Sequence, residues 1–247
     1  MSNRIPFVID NNHHMMWYVL KSLLKQCEGK SLDIATSAFD VGPWHLLKDG
    51  LSDMSSFRLL LGDEPKDASD MGLFEMRMRL LKEVSESFVP HVDEIGRDLV
   101  RSLIAFLSEE RVQVRLHTKR SPAINCYLFS NGKMWEQDYK PIAAIIGSSD
   151  FTYGGLLSSK ELNLACHTNL TAEEITAERL RGCRMPEDEI ASVVGLGEGD
   201  RVVAAKVPAV LALSDIAEWY EQQWEAARDF KEELIKLLQD VPFIVES

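Results

Sequence analysis

The stretch LDIATSAFDVGPWHLLKDGLSDMSSFRLLLG, residues 32–62, contains the pattern that decides the fold. Residues 32–39 and 57–61 are apolar runs typical of buried strands, and each is followed by turn-forming residues. Between them, residues 44–51 predict a short helix after the turn at Gly42-Pro43. A strand, a helix and a strand in so short a stretch favour a parallel strand pair, and hence an α/β layer fold.

The neighbouring sequence extends this pattern in both directions. Residues 111–119 alternate strictly between apolar and polar side chains, which is typical of a strand with one buried face. We expect further strands at residues 123–129, 141–147 and 161–166, and further helices at residues 15–25, 72–84 and 92–109. Together these elements predict an α/β fold with a mixed, mostly parallel β-sheet flanked by helices.

The C-terminal part of the chain predicts one long helix. Apolar residues recur at helical spacing over residues 214–238, and Ser214 or Asp215 would cap the first turn. Residues 202–210 predict a strand or a packed extended arm, and the acid-rich residues 171–190 predict a surface helix or an insertion. We therefore expect a domain over residues 1–213, with insertions or peripheral helices at 62–109 and 171–210, followed by a C-terminal helix and tail over 214–247.

Composition and charge exclude several classes of protein. The chain has 247 residues, of which 45% are hydrophobic, which excludes disorder as the main state. Its 39 acidic and 27 basic residues give a net charge of −12, which disfavours non-specific binding of nucleic acid or anionic membranes. No secretory signal or apolar run long enough to span a bilayer is present, so we expect a cytoplasmic protein without membrane contact. The four cysteines lack paired spacing, and we expect neither a metal nor another cofactor.

The segment GSSDFTYGGL, residues 147–156, follows an apolar strand and precedes ELNL at residues 161–164. A Gly-Ser turn at the end of a strand presents hydroxyl groups and backbone N–H groups, which suit the oxygens of a phosphate. The alternative is a tight loop whose serines only cap the backbone.

This segment resembles the second half of the motif of the phospholipase D superfamily, GS-x-N-F-T…GL…N-x-E-L-N, in the form typical of its bacterial nuclease and helicase-associated branch. Residues 32–62 resemble the first strand, helix and strand of that fold. The final AEWYEQQWEAARDFKEELIKLL, residues 217–238, resembles the helix that joins such a domain to a Swi/Snf-type helicase. The resemblance covers residues 62–108 and 171–210 poorly.

The resemblance implies a metal-independent chemistry. In this superfamily a histidine attacks phosphorus, a lysine two residues later shares its pocket, and a second histidine protonates the leaving oxygen. A glutamate orients a histidine in the nuclease branch, and Glu161 occupies that position here. The resemblance assigns phosphate binding to the following residues: Gly147, Ser148, Ser149, Asp150, Arg115 and Asn125.

Two registers of the catalytic motif are open. The chain contains His117-Thr118-Lys119, and on an alternating strand both side chains share a face with Arg115. The branch, however, usually runs His-x-Lys-x-Tyr-x-Phe, and the matching strand here is residues 123–129, AINCYLF. In that register Ala123 replaces the histidine and Asn125 replaces the lysine. Asp150 also replaces the usual asparagine, and an acid at this position repels a phosphate.

Three functions follow from these alternatives. The first is a phospholipase D-like domain of a nucleic-acid-processing system, helicase-associated or in restriction defence, whose degenerate site binds a phosphate backbone or a protein partner. The second is an active phosphodiesterase or nuclease that uses His117 and Lys119, and the third is a non-catalytic interaction scaffold. Expected partners are DNA or another phosphodiester, helicase domains in cis or in trans, and a second copy of the chain, because one motif half per chain cannot supply two histidines.

Overall fold

The computed structural model describes residues 5–67, 70–83, 92–117, 125–132, 134, 136, 138–158, 160–167 and 198–240. In these residues one eight-stranded sheet lies between helices on its two faces, which confirms an α/β fold with a mixed sheet. None of the described helices is both long and apolar enough to cross a bilayer. Along the chain the elements are β1 (Val8–Ile9), α1 (Met16–Gln26), β2 (Ser31–Thr36), α2 (Gly42–Ser52), β3 (Ser56–Leu61), α3 (Leu73–Glu83), α4 (Val92–Leu107), β4 (Val112–Leu116), β5 (Asn125–Asn131), β6 (Lys140–Gly147), α5 (Tyr153–Leu157), β7 (Asn163–His167), α6 (Glu198–Glu225), β8 (Arg228–Asp229) and α7 (Lys231–Gln239).

The described strands are arranged in the order β1-β7-β6-β5-β2-β3-β4-β8. Strands β2, β3 and β4 are parallel to one another, and the other neighbouring pairs are antiparallel. The expectation of a mostly parallel sheet is therefore wrong. Parallel neighbours need a crossover of a dozen or more residues, and helices α2, α3 and α4 supply crossovers between β2, β3 and β4. Residues 132–139, which join β5 to β6, are too few for a crossover.

The larger core lies on one face of the sheet, under helices α1, α2, α4 and α7. Helix α1 buries the stripe Met16, Val19, Leu20, Leu23 and Leu24, as its helical spacing predicts. The ring of Phe106 on α4 packs between Trp44 on α2 and Phe57 on β3, with ring centroids 4.6 Å and 5.3 Å apart. These contacts fix the helices over the centre of the sheet, where β2 and β3 are buried along their whole length.

The opposite face of the sheet is covered by the C-terminal half of α6. Its residues Leu213, Ala217, Tyr220 and Trp224 pack on small and apolar residues of the central strands. The strand or arm expected at residues 202–210 is wrong, because these residues belong to helix α6. The helix or insertion expected at residues 171–190 lies outside the described residues.

The single helix expected at residues 214–238 is also wrong, because the chain leaves the helix at Ala226 and forms β8. Arg228 and Asp229 pair with the end of β4, and the N–H of Phe230 donates to the carbonyl oxygen of Val114 over 3.0 Å. This short strand carries the chain around the edge of the sheet. Helix α6 therefore packs on one face and α7 on the other, where Leu234 and Leu238 enter the larger core.

A buried arginine connects α6 to the sheet. Arg58 on β3 donates to both carboxylate oxygens of Asp33 on β2, over 2.7 Å and 2.8 Å, and to Glu221 on α6 over 2.8 Å. Its guanidinium also lies 5.0 Å and 5.1 Å from the ring centroids of Tyr220 and Trp224. One side chain thus joins two strands and the helix through charge, hydrogen bonds and cation–π contacts.

We expect Arg58→Ala to lower the free energy of unfolding by about 3–5 kcal/mol, because Asp33 is then a buried carboxylate without a counter-ion. The matched control is Arg77→Ala, which removes a 2.7 Å contact with Asp93 at the surface and costs at most about 1 kcal/mol. The double variant Asp33→Asn/Arg58→Met removes the fully buried carboxylate together with its counter-ion and leaves only the partly exposed Glu221 unpaired, so it is expected to be more stable than Arg58→Ala. Urea denaturation measures all of these variants, and equal losses for Arg58→Ala and Arg77→Ala would contradict the role of burial.

Candidate functional site

Most of the described residues singled out in the sequence lie at the edge of the sheet where β2, β3 and β4 end, which we call the carboxyl edge. Strand pairing aligns one residue from each of seven strands in a single row along this edge. The row consists of Leu116, Leu61, Thr36, Asn125, Gly147, Asn163 and Ile9. The loops that follow β2 and precede β7 are therefore neighbours of the Gly147 turn.

The structure brings Gly147, Ser148, Ser149 and Asp150 together with Asn125 and Glu161. Gly147 lies opposite Asn125 on the neighbouring strand. The hydroxyl of Ser148 is exposed and donates to Glu161 Oε2 over 2.6 Å, and the N–H of Leu162 donates back to Ser148 Oγ over 3.0 Å. Glu161 thus holds a serine at this edge, where the resemblance assigned it to a histidine.

Asp150 and Asn125 tie the turn to the loop that follows β2. Asp150 Oδ1 accepts hydrogen bonds from the hydroxyl of Ser37 and, over 3.3 Å, from the N–H of Ala38. Asn125 Oδ1 accepts the N–H of Ser37 over 3.0 Å. Both side chains therefore use their oxygens to bind the protein's own backbone and hydroxyl groups.

Asn163 and Thr36, which the sequence did not single out, also join the loop after β2 and the strand β7 to the turn after β6. We call this network of hydrogen bonds the lock. Asn163 pairs with Ser149 through both of its amide atoms: its Oδ1 accepts the N–H of Ser149 over 3.1 Å, and its Nδ2 donates to Ser149 Oγ over 2.8 Å. Thr36 Oγ1 accepts the N–H of Phe151 over 2.8 Å. Asn163 lies in the ELNL motif, which could have indicated its role in the site. Thr36 is an ordinary residue at the end of a strand, and nothing in the sequence distinguishes it.

Tyr127 contacts the turn after β6 from the larger core. Its hydroxyl donates to the carbonyl oxygen of Ser149 over 2.8 Å, and the whole side chain is buried. Burial raises the pKa of Tyr127 well above its usual value, and the charges of Asp150 and Glu161 raise it further. The phenol therefore stays protonated and acts as a fixed hydrogen-bond donor.

The remaining predicted site residues lie elsewhere or outside the described residues. Arg115 on β4 donates to the carbonyl oxygen of Trp224 over 2.7 Å, with its guanidinium 4.8 Å from the Trp224 ring. His117 lies at the carboxyl edge but contacts Gln223 Oε1 at 3.1 Å. Three strand spacings, about 14 Å, separate the strand before His117 from Asn125. Lys119 and Ala123 lie outside the described residues.

The described part of the edge is polar and acidic rather than cationic. Neither Asp150 nor Glu161 forms an ion pair with a lysine or arginine of the described residues. Within those residues they accept hydrogen bonds from hydroxyl and backbone N–H groups. The N–H groups of Ser37, Ser149 and Phe151 already donate to side-chain oxygens of the chain. In the same residues no group of three His, Cys, Asp or Glu side chains is arranged to hold a metal ion. This arrangement stabilises the loops and offers little to a phosphate.

Comparison with known proteins does not assign the chain to a family. No protein-family model matches the chain, and no curated protein matches it.

Asp40 continues the lock on the other side of the β2 loop. Its carboxylate accepts the N–H of Gly42 over 2.7 Å and the N–H of Tyr153 over 3.0 Å, so that it caps the beginnings of α2 and α5 together. Burial raises the pKa of Asp40 to about 6, and the two N–H donors oppose this shift only in part.

Between pH 3.8, the ordinary pKa of an aspartate, and about pH 6, Asp40 is therefore protonated to a greater extent in the folded chain than in the unfolded chain. The contribution of Asp40 to the free energy of unfolding therefore falls as the pH rises through that interval. We expect the wild type to lose up to about 3 kcal/mol of unfolding free energy relative to Asp40→Asn between pH 4 and pH 7.5. Urea titrations of both proteins across this range measure the difference, and parallel pH profiles would contradict the shift.

Two neighbouring glycines in α5 give a matched test of the close packing against the turn. A Cβ on Gly155 would lie 2.3 Å from the carbonyl oxygen of Asp150, whereas a Cβ on Gly154 would meet only Thr152 Oγ1 at 4.0 Å. We expect Gly155→Ala to destabilise the protein by about 1–3 kcal/mol. Gly154→Ala is expected to change stability by less than about 1 kcal/mol, in the stabilising direction. Equal stabilities of the two variants in urea would show that the Asp150 turn yields to the extra methyl group.

Proposed function

We propose that this chain is a non-catalytic phospholipase D-like domain that serves a nucleic-acid-processing system by binding a protein partner. The observation that carries the proposal is the lock at the carboxyl edge. Asp150 and Asn125, at the positions where the motif has an asparagine and a lysine, accept hydrogen bonds from Ser37 and Ala38. Residues that would handle a phosphate in the superfamily here hold two loops together.

The chemistry of the edge supports the absence of catalysis. A phosphohistidine mechanism needs an imidazole and cations around one phosphorus atom. In the register that fits the Tyr127 and Phe129 pattern, Ala123 and Asn125 replace the histidine and the lysine. His117, the alternative nucleophile, lies about three strand spacings away and is held by Gln223.

Charge favours a protein partner over a nucleic-acid backbone. Affinity for a backbone depends on the number of phosphates that basic residues neutralise, and this chain has a net charge of −12. At the edge itself, Asp150 and Glu161 add negative charge where a phosphate would lie. A partner with basic residues around an apolar centre fits this surface better.

An exposed apolar patch lies next to Glu161 and supports the same conclusion. Val8, Leu162 and Leu164 are 47%, 60% and 51% exposed, and alternation along the strands places all three on one face of the sheet. Val8 pairs with Leu164 across the β1–β7 edge, on the sheet face that α6 covers farther along. Uncovered apolar side chains grouped in this way are typical of protein-contact surfaces. Helicase domains, in cis or in trans, are the partner that the sequence resemblance suggests, and the homodimer stays a prediction.

We expect the purified chain to show no cleavage of bis-(4-nitrophenyl) phosphate or DNA, with or without EDTA, because Ala123 and Asn125 stand where the motif has its histidine and lysine. The variant Ala123→His/Asn125→Lys/Asp150→Asn restores the superfamily motif, and we expect EDTA-resistant cleavage to appear in it.

The control is His117→Ala, which is expected to leave the wild-type result unchanged. EDTA-resistant cleavage by the wild type that falls by several orders of magnitude in His117→Ala would overturn the proposal and identify an active enzyme. This outcome is independent of whether the restored variant folds.

A further inference from the structure

The exposed residues Val8, Leu162 and Leu164, which we call the edge patch, continue an apolar surface that helix α6 covers farther along the sheet. Strand pairing aligns the following residues in one row across the α6 face of the sheet: Leu60, Ala35, Cys126, Ile146, Leu164 and Val8. The first three members of this row are buried under α6, the fourth is half-buried, and the last two are uncovered. The apolar row therefore extends two strands beyond the part that α6 covers.

The uncovered end of the row has the width of one helix. It spans strands β7 and β1, and at about 4.8 Å between neighbouring strands this amounts to about 10 Å. An α-helix with its side chains is about 10–12 Å across. A helix that covers such a strip needs apolar side chains at helical spacing, as α6 has in Leu213, Ala217, Tyr220 and Trp224. One further helix with a single apolar face, lying beside α6, would complete the layer on this face of the sheet.

Two carboxylates lie at the end of the edge patch where Leu162 is. Glu161 immediately precedes Leu162 and accepts a serine hydroxyl. Asp10 follows β1, and the hydrogen bond from His13 together with three backbone N–H donors holds the pKa of Asp10 well below its usual range. In the described part of the chain neither carboxylate pairs with a lysine or arginine, the exposed Lys160 included. A helix that carries a lysine or arginine at this end therefore complements the charge beside the patch.

We propose that the edge patch binds one amphipathic helix of a partner protein, with the apolar face of that helix on the patch and a lysine or arginine beside Glu161. The helix lies next to α6 and covers β7 and β1 as α6 covers the central strands. The inference rests on the proposed function, because it names the element that the protein partner supplies.

Two designed peptides test the proposal by fluorescence anisotropy at physiological salt. One has leucine and lysine at the spacing of an amphipathic helix, and the other has the same residues in an order that gives no apolar face. We expect the chain to bind the amphipathic peptide at least about tenfold more tightly, because only this peptide buries a continuous apolar face. Equal binding of both peptides would show attraction to the net charge of −12 alone and would overturn the proposal.

Variants of the patch locate the binding. We expect Leu164→Ser and Leu162→Ser each to weaken binding of the amphipathic peptide about tenfold, because each removes one leucine from the contact. Leu162 precedes β7, so its variant stays informative if Leu164→Ser does not fold. The matched control is Phe74→Ser, which removes a 62% exposed side chain on α3, outside the patch, and is expected to leave the affinity unchanged. Glu161→Gln is expected to weaken binding about threefold, against no change in the exposed control Glu225→Gln.

The remaining outcomes each decide the question. Affinity that falls equally in Leu164→Ser and Phe74→Ser would place the peptide elsewhere and overturn the proposal, as would absence of binding by the wild type. A wild-type dimer in sedimentation that Leu164→Ser dissociates would identify a second copy of the chain as the occupant and would also overturn it. Cleavage of a phosphodiester by the wild type would instead overturn the proposed function, and it is measured independently of peptide binding.

Discussion

The structure depends most on the hydrogen bonds that join two loops at the carboxyl edge of the sheet. The loop after β2 and the turn after β6 come from distant parts of the chain, and each presents backbone N–H groups that need acceptors. Asn125, Asp150, Thr36 and Asn163 provide those acceptors across four neighbouring strands. Asp40 extends these hydrogen bonds to the beginnings of α2 and α5.

The sequence predicted the parts of this arrangement that depend on local periodicity. Buried runs located β2, β3 and β6, and the strand–helix–strand pattern at residues 32–62 correctly gave one parallel pair. The order of the remaining strands depends on the connections between them. A run of apolar residues predicts a strand, but it does not indicate whether the adjacent strand in the sheet is parallel or antiparallel. The predicted turn after β5 is a hairpin connection, which makes β5 and β6 antiparallel. Residues 202–210 belong to the helix whose residues 213–224 cover an apolar sheet face, and that tertiary contact lies outside the short window 202–210.

The predicted site residues lie together where strand pairing alone decides their proximity. Gly147 to Asp150, Asn125 and Glu161 lie together because they follow or precede strands that end at the same edge. Arg115 shares that sheet but not that surface: its side chain lies under Trp224 on the face covered by α6. The buried pair of Asp33 and Arg58 could not be recognised from sequence, because their contact depends on the register of two strands and on a helix more than 150 residues later.

The described part of the carboxyl edge surrounds a turn of glycine and serine with acids. A turn of glycine, serine and backbone N–H groups binds a phosphate only while those groups stay free and positive charge surrounds them. Here Asp150 accepts the hydrogen bonds of the facing loop, and Glu161 accepts the hydroxyl of Ser148. Their negative charge lowers the affinity of the turn for an anion, and the N–H groups of Ser149 and Phe151 already have acceptors within the chain. The same hydrogen bonds that fix the two loops therefore take up the groups with which such a turn would bind a phosphate.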